Sequence, residues 1–230
     1  MMSNAILSKF ITPVAMSAGI VFALCGPSLA QATTDTADTD TILADTSANA
    51  EVTGFRSAEF GMDEESVLAA IKSDFGIEAD SVLSGENNVE RTRVLTVSIP
   101  DVLEGGGTAK VSYIFGYKSK GLIQVGISWG ADTDPNMTDA LLVANGDVLR
   151  SHFIAQGYDP ETISVNTPLD TGILLFRGSD SEGRSSILLL QGSFEDSGEG
   201  QKTLLPQSLA LLYSLNPDNP DVFKVESGSF

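Results

Sequence analysis

Arg93-Val94-Leu95-Thr96-Val97-Ser98-Ile99, Lys110-Val111-Ser112-Tyr113-Ile114-Phe115 and Leu122-Ile123-Gln124-Val125-Gly126-Ile127-Ser128-Trp129 follow one another through the middle of the chain. In the first run Leu95, Val97 and Ile99 alternate with Thr96 and Ser98. In the second Val111, Tyr113 and Phe115 alternate with Ser112 and, less cleanly, Ile114. In the third Ile123, Val125, Ile127 and Trp129 alternate with Gln124, Gly126 and Ser128. Successive strand residues point to opposite faces, so period-two patterning predicts three strands, each with one buried face. The links Glu104-Gly105-Gly106-Gly107 and Lys118-Ser119-Lys120-Gly121 are short and turn-like. Links of that kind join antiparallel neighbours.

Upstream lies the clearest helix start. Asp63 can accept hydrogen bonds from free first-turn N–H groups, and Glu64 and Glu65 suit the positive end of the helix dipole. Met62 and Val67 take the flanking positions of a hydrophobic staple. Val67, Leu68, Ile71 and Phe75 form the apolar stripe, and Gly76 stands where the helix stops.

Downstream, a second helix is predicted over about Thr138–Gln156. Its inner face is Leu141, Leu142, Val148, Leu149 and Phe153, Gly146 weakens its middle, and Gly157 ends it. Strand-like runs follow at Ile173–Arg177 and Ser186–Gln191, then a run over Ser208–Leu215 that is apolar nearly all round. Tyr213 and the stop Asn216-Pro217-Asp218-Asn219-Pro220 favour a strand for the last. The order is helix, three strands, helix, three strands. It suggests two tandem α+β units, residues 54–130 and 131–230. An antiparallel sheet with both helices on one face would bury every stripe. Whether the units share that sheet stays open at this level.

The N-terminus reads differently. Lys9 is the only charged side chain before Asp35, Ile11–Cys25 is a short apolar stretch broken by Thr12, Pro13, Ser17 and Gly19, and Ser28-Leu29-Ala30 closes it. This is the pattern of a signal peptide over residues 1–30, and it predicts a periplasmic or secreted protein. The run is too short and interrupted for a membrane span, so no stable insertion is expected after cleavage. Leu24 precedes Cys25 where a lipid-attachment site requires a small residue, which argues against a lipoprotein. Residues 31–53, rich in Thr, Asp, Ala and Ser, are predicted to be a disordered acidic tether. Asp38 and Asp40 there hint at calcium, without the glycine turn or following glutamate such a site needs.

Cys25 is the only cysteine, so a cleaved chain would lack disulfides, thiol catalysis and thiolate metal sites. Against 13 Lys and Arg stand 31 Asp and Glu, a net charge of −18, and loss of Lys9 deepens it. Such a balance disfavours nucleic acid and anionic lipid as partners.

Phe60-Gly61-Met62 with Glu65 and Val67, followed by a hairpin sheet, resembles the exported module of the beta-lactamase inhibitory protein and the related small outer-membrane-assembly lipoproteins. The resemblance implies a helix packed on an antiparallel sheet, a tandem arrangement, and a protein-binding role without catalysis. The chain departs from both groups in lacking the inhibitor's disulfides and a lipid-attachment cysteine. No interface motif is matched, so no binding residue carries over.

Candidate chemistry is sparse. Gly126-Ile127-Ser128-Trp129-Gly130 has the glycine-x-serine-x-glycine spacing of a hydrolase nucleophile elbow, and His152, the sole histidine, follows Asp132, Asp134 and Asp139. The elbow needs a sharp strand-to-helix turn, whereas Ser128 continues a strand alternation. Asp132-Thr133-Asp134-Pro135-Asn136 supplies the first three positions of a calcium loop. Met137 stands where glycine is required and Val143 where the bidentate glutamate belongs, so Asp132, Asp134 and Asn136 read better as a loop before the second helix. The acidic Glu195–Gly200 segment reads as a solvated hairpin tip. Gly116–Gly121 has the glycine spacing of a phosphate loop, but Leu122 and Ile123 replace the obligatory Lys and Ser/Thr. Tyr117, Lys118 and Lys120 form a candidate contact patch at one hairpin tip. No cofactor is expected. The leading reading is an exported, non-enzymatic interaction module whose sheet presents one face to another exported or envelope protein. The alternatives are a serine hydrolase using Ser128 and His152, or a cation- or small-ligand-binding protein.

Overall fold

The computed structural model describes residues 50–198 and 201–225. The expected signal peptide, Asp38, Asp40 and residues 31–49 of the expected tether lie outside them. Residues 50–53 do not belong to a tether. Ala50 and Val52 are buried in the core, the Ala50 N–H donates to the Gly157 carbonyl (3.1 Å), and the Val52 N–H donates to Asp180 Oδ2 (2.9 Å). Two small apolar residues suffice here because backbone hydrogen bonds fix the segment against the rest of the fold.

The N-terminal segment pairs Gly54–Phe55 (β1) with Ala58–Glu59 (β2) and leads into α1, Glu64–Phe75. Asp63 caps α1, its carboxylate accepting the Ser66 N–H at 2.9 Å, and Gly76 closes it in the left-handed region at φ 67°, donating to the Lys72 carbonyl. Val67, Ala70 and Ile71 are buried, with Leu68 and Phe75 packed at the margin.

An eight-stranded, wholly antiparallel sheet follows. Its strands are β3 (Leu83–Asn87), β4 (Thr92–Ile99), β5 (Ala109–Phe115), β6 (Leu122–Gly130), β7 (Ser164–Leu169), β8 (Gly172–Ser179), β9 (Ser185–Gly198) and β10 (Gln201–Ser214), and the spatial order is β3-β4-β5-β6-β10-β9-β8-β7. Two helix-plus-four-strand meanders are thus joined through their last strands, β6 against β10 from Ser208↔Gly130 to Ser214↔Gln124. The two halves share one sheet.

Within the eight-stranded sheet each half holds one strand more than the sequence pattern predicts, and both extra strands are edges; the short β1–β2 pair is unpredicted too. β3 reads Leu-Ser-Gly-Glu-Asn and is almost wholly exposed. β7 carries Pro168 and a left-handed Asn166 (φ 53°). Edge strands bury little, so alternation is not demanded of them, and proline is tolerated where no ladder bond is lost. β9 and β10 outrun their neighbours as a two-stranded arm, and Glu195 and Asp196 lie within β9 instead of at a tip.

α2 (Asp139–Ile154) begins at Thr138, whose hydroxyl accepts the Leu141 N–H at 3.2 Å. It packs across β8, β9 and β10 through Leu142, Asn145, Gly146, Leu149 and Phe153. Val148, expected on the inner face, is 60% exposed. Gly146 replaces it at the contact: a Cβ there would stand 2.7 Å from Leu175 Cδ1, so the glycine lets the helix axis approach the sheet.

Both helices cover the same sheet face. Register defines it as cross-strand rows: Val97-Val111-Ile127-Leu211-Leu188-Phe176 is one, and Leu95-Tyr113-Val125-Tyr213 another. These residues form the core with Val67, Ile71, Leu142, Leu149 and Phe153. Phe55 stacks on Tyr213 and Phe75, and Phe153 packs against Tyr158, Phe176 and Tyr213, tying both helices to the central strands.

Candidate functional site

Ser128 and His152 do not meet. Ser128 lies mid-strand in β6, paired with Lys110 on β5 and Ala210 on β10, and its side chain belongs to the face that carries no helix. His152 is an exposed residue of α2, which packs on the opposite face. A packed sheet separates hydroxyl from imidazole, and β6 has no turn at Ser128, so His152 cannot take the Ser128 proton.

The acidic loop before α2 is saturated by its own chain. Asp134 Oδ2 accepts the Thr108 N–H and Oδ1 accepts the Asn136 N–H, both at 2.9 Å. Those two donors hold the Asp134 carboxyl below its usual range. Asp132 Oδ2 pairs with Lys110 Nζ at 3.2 Å. Asn136 contributes its backbone N–H to Asp134, and among the described residues no group of three or more His, Cys, Asp or Glu side chains is placed to hold a metal ion.

Tyr117, Lys118 and Lys120 do sit together on the β5–β6 turn, where the C-terminal residues reach them. The Lys118 and Ser119 N–H groups donate to the Asp221 carboxylate, and the Tyr117 ring meets Phe223 edge-on at 5.5 Å.

Asp180 and Arg184 were not signalled by any motif. On the turn between β8 and β9, Asp180 is 1% exposed at its side chain and pairs with Arg184 Nε at 2.7 Å. Its oxygens also accept the N–H groups of Val52, Glu182 and Arg184. Burial alone would raise the Asp180 carboxyl; these donors and the guanidinium more than offset it and hold it low. Only the fold brings Val52 to this turn, so local sequence could not show the role.

A groove of about 330 Å³ opens between α2 and the β7–β10 strands, lined by Val143, Arg150, Pro168, Leu175, Leu204 and Pro206. It lies within the second half, and Arg150 at its margin is engaged by Asp147 and Asn166.

The largest feature is the helix-free face. Three cross-strand rows build it: Thr96-Ser112-Gly126-Leu212-Ile187-Arg177, Ser98-Lys110-Ser128-Ala210-Leu189-Leu174 and Val94-Ile114-Gln124-Ser214-Ser185-Ser179. No carboxylate stands in any of them, and Lys110 and Arg177 are their only ionisable side chains. Ile114 and Leu189 are buried, outside the core that lies under the helices, and Gln124, Ser179, Ser185 and Ser214 along the third row are buried as well. Leu174, Ile187, Ala210 and Leu212 remain partly exposed, and Arg177 is exposed.

Comparison with protein families, curated proteins and solved structures finds no match.

Proposed function

We propose that this chain is an exported, non-enzymatic interaction module that holds another exported or envelope protein against its helix-free sheet face. One observation carries the reading: two adjacent rows, Thr96 to Arg177 and Ser98 to Leu174, of mostly small, hydroxyl and aliphatic side chains that hold no carboxylate and are partly exposed at Leu174, Ile187, Ala210 and Leu212, on a chain of net charge −18. A solvated face of so acidic a protein has no need to exclude acids, and partly exposed aliphatic residues there cost solubility unless something covers them. Six strands at about 4.8 Å spacing make the rows about 24 Å wide, a footprint suited to an interface of about 800 Å² per partner with its rim. Arg177, exposed at the margin of these rows, suits a partner whose apolar surface carries a carboxylate at its edge, while Lys110 already pairs with Asp132. The predicted signal peptide supplies the location, and the absence of cysteine beyond Cys25 suits a surface that binds by shape and burial.

Cross-linked pull-down of the purified mature protein from envelope and secreted fractions tests the reading. A single partner that is captured by the parent chain and lost with Leu212→Asp supports it. Capture unchanged by Leu212→Asp and Ala210→Asp, or no partner at all, would sink it.

A further inference from the structure

Residues 216–225 lie against a surface apart from the sheet face. After β10 the chain turns back and crosses the ends of two hairpins, the β5–β6 turn and the β3–β4 turn. Asp221 delivers its carboxylate to the N–H groups of Lys118 (3.1 Å) and Ser119 (2.8 Å), and the Tyr117 N–H donates to the Asp221 carbonyl (2.7 Å). Two residues on, the Phe223 N–H donates to the Glu90 carbonyl (2.8 Å). The Phe223 ring lies 3.8 Å from the Arg91 guanidinium and against Tyr117. Backbone N–H groups that cradle a carboxylate and a guanidinium stacked on an aromatic face are both geometries that recognise peptide groups.

The acceptor is built independently of what fills it. The Gly116 N–H closes the turn onto the Gly121 carbonyl at 2.8 Å. Gly61 and Met62 clamp Leu122 through two further backbone bonds of 2.8 Å. Gly116 keeps the floor clear: a Cβ there would collide with the Asp221 carboxylate and the Ser119 hydroxyl. Lys120, left-handed at φ 59°, and Arg91, at φ 53°, hold strained backbones at the two turns the tail touches. Arg91, Lys118 and Lys120 have no carboxylate within ion-pair distance among the described residues, as is also true of Arg56, Arg177, Lys202 and Lys224, so the site places three such cations at two neighbouring turns. The tail, by contrast, adds no side chain to the hydrophobic core. It is held at its edges by polar contacts, the kind of segment that opens at low cost.

We propose that the ends of the β3–β4 and β5–β6 hairpins form an acceptor site for an extended acidic-x-aromatic segment of another protein, and that Asp221-Val222-Phe223 occupies it in cis as a displaceable plug. Tethering gives the plug an effective concentration in the millimolar range, so an outside segment binds only weakly until the plug is released.

The test uses the full chain and a synthetic peptide of residues 216–225, titrated by calorimetry or NMR. The double variant D221N/F223A binds the peptide saturably, the unmodified protein binds it at least ten-fold more weakly, and adding Arg91→Ala to the double variant costs at least ten-fold. A control peptide with Asn for Asp and Ala for Phe does not bind. Three results would overturn the proposal: a folded double variant that ignores the peptide, equal affinity of variant and parent, or a double variant that fails to fold. Sedimentation showing the parent dimerising by tail exchange would assign the site to a second copy and overturn it too.

Discussion

Trp129 and Ser128 are neighbours on one strand, yet they belong to two different solvents. Trp129 is 1% exposed beneath the helices, in line with Leu209 and Leu190, while Ser128 stands on the bare face between Lys110 and Ala210. Leu211 and Leu212 repeat the contrast on β10, the first in the core and the second partly open. Alternation serves both faces equally, but only one receives helices. What lies on the covered face is dictated by packing. The bare face is mixed: Ile114, Gln124, Ser214, Ser185 and Ser179 along its third row are buried, so burial accounts for the lack of carboxylates there, whereas Ile187, Ala210 and Leu212 are partly exposed and free of that demand.

Four experiments bear on this contrast. Trp129→Ala should cost about 3–5 kcal/mol in denaturant unfolding, since it removes the largest fully buried side chain. An effect under about 1 kcal/mol would mean that the two faces are not energetically distinct.

Asp180→Ala should cost about 3 kcal/mol, because it removes the closest partner of the half-buried Arg184, leaving only Glu182 and Glu51, and leaves the Val52, Glu182 and Arg184 N–H groups without their acceptor. The same group sets a pH dependence. Its folded-state carboxyl is held low, so the stability it adds is fully present above the ordinary aspartate range and is lost as pH falls through the lower, folded value. Acid titration of thermal stability should therefore be less steep in Asp180→Ala than in the parent below about pH 4.

Leu211→Asp should prevent folding, whereas Leu212→Asp should fold with a stability change within about 1 kcal/mol, read by circular dichroism and melting. Equal damage from both would show that the bare face is closed by something packed upon it.

Ser128→Ala should change stability by less than about 0.5 kcal/mol and leave labelling by a serine-directed fluorophosphonate probe at background in both forms. Labelling of the parent alone would reopen nucleophilic chemistry at this strand.

Much of the architecture was legible because it is written in local pattern. The runs that became β4, β5, β6, β8, β9 and β10 alternate or are strongly apolar, and α1 announces itself by Asp63, Glu64, Glu65 and Gly76. β3 and β7 were not legible, since an edge strand needs no buried face and so shows no alternation, although each pairs with the next strand in sequence. Val148 was misplaced because Gly146, not an apolar side chain, marks where α2 presses on Leu175. Of the candidate sites, sequence spacing put Tyr117, Lys118 and Lys120 at one turn, where they stand. It could not show that Asp221 and Phe223 would arrive there from a hundred residues away.

By itself, then, the sequence determined the class of fold: antiparallel strands from the period of two, helices from caps and stripes, and an acidic surface from composition. Tertiary structure alone decided how β6 and β10 join the halves, which face stays bare, and that Ser128 and His152 lie on opposite sides of a sheet. The physical reason is range. Strand alternation and helix caps are settled within a few residues, whereas sheet order, face coverage and the meeting of Asp180 with Val52 depend on contacts between segments that no local pattern encodes.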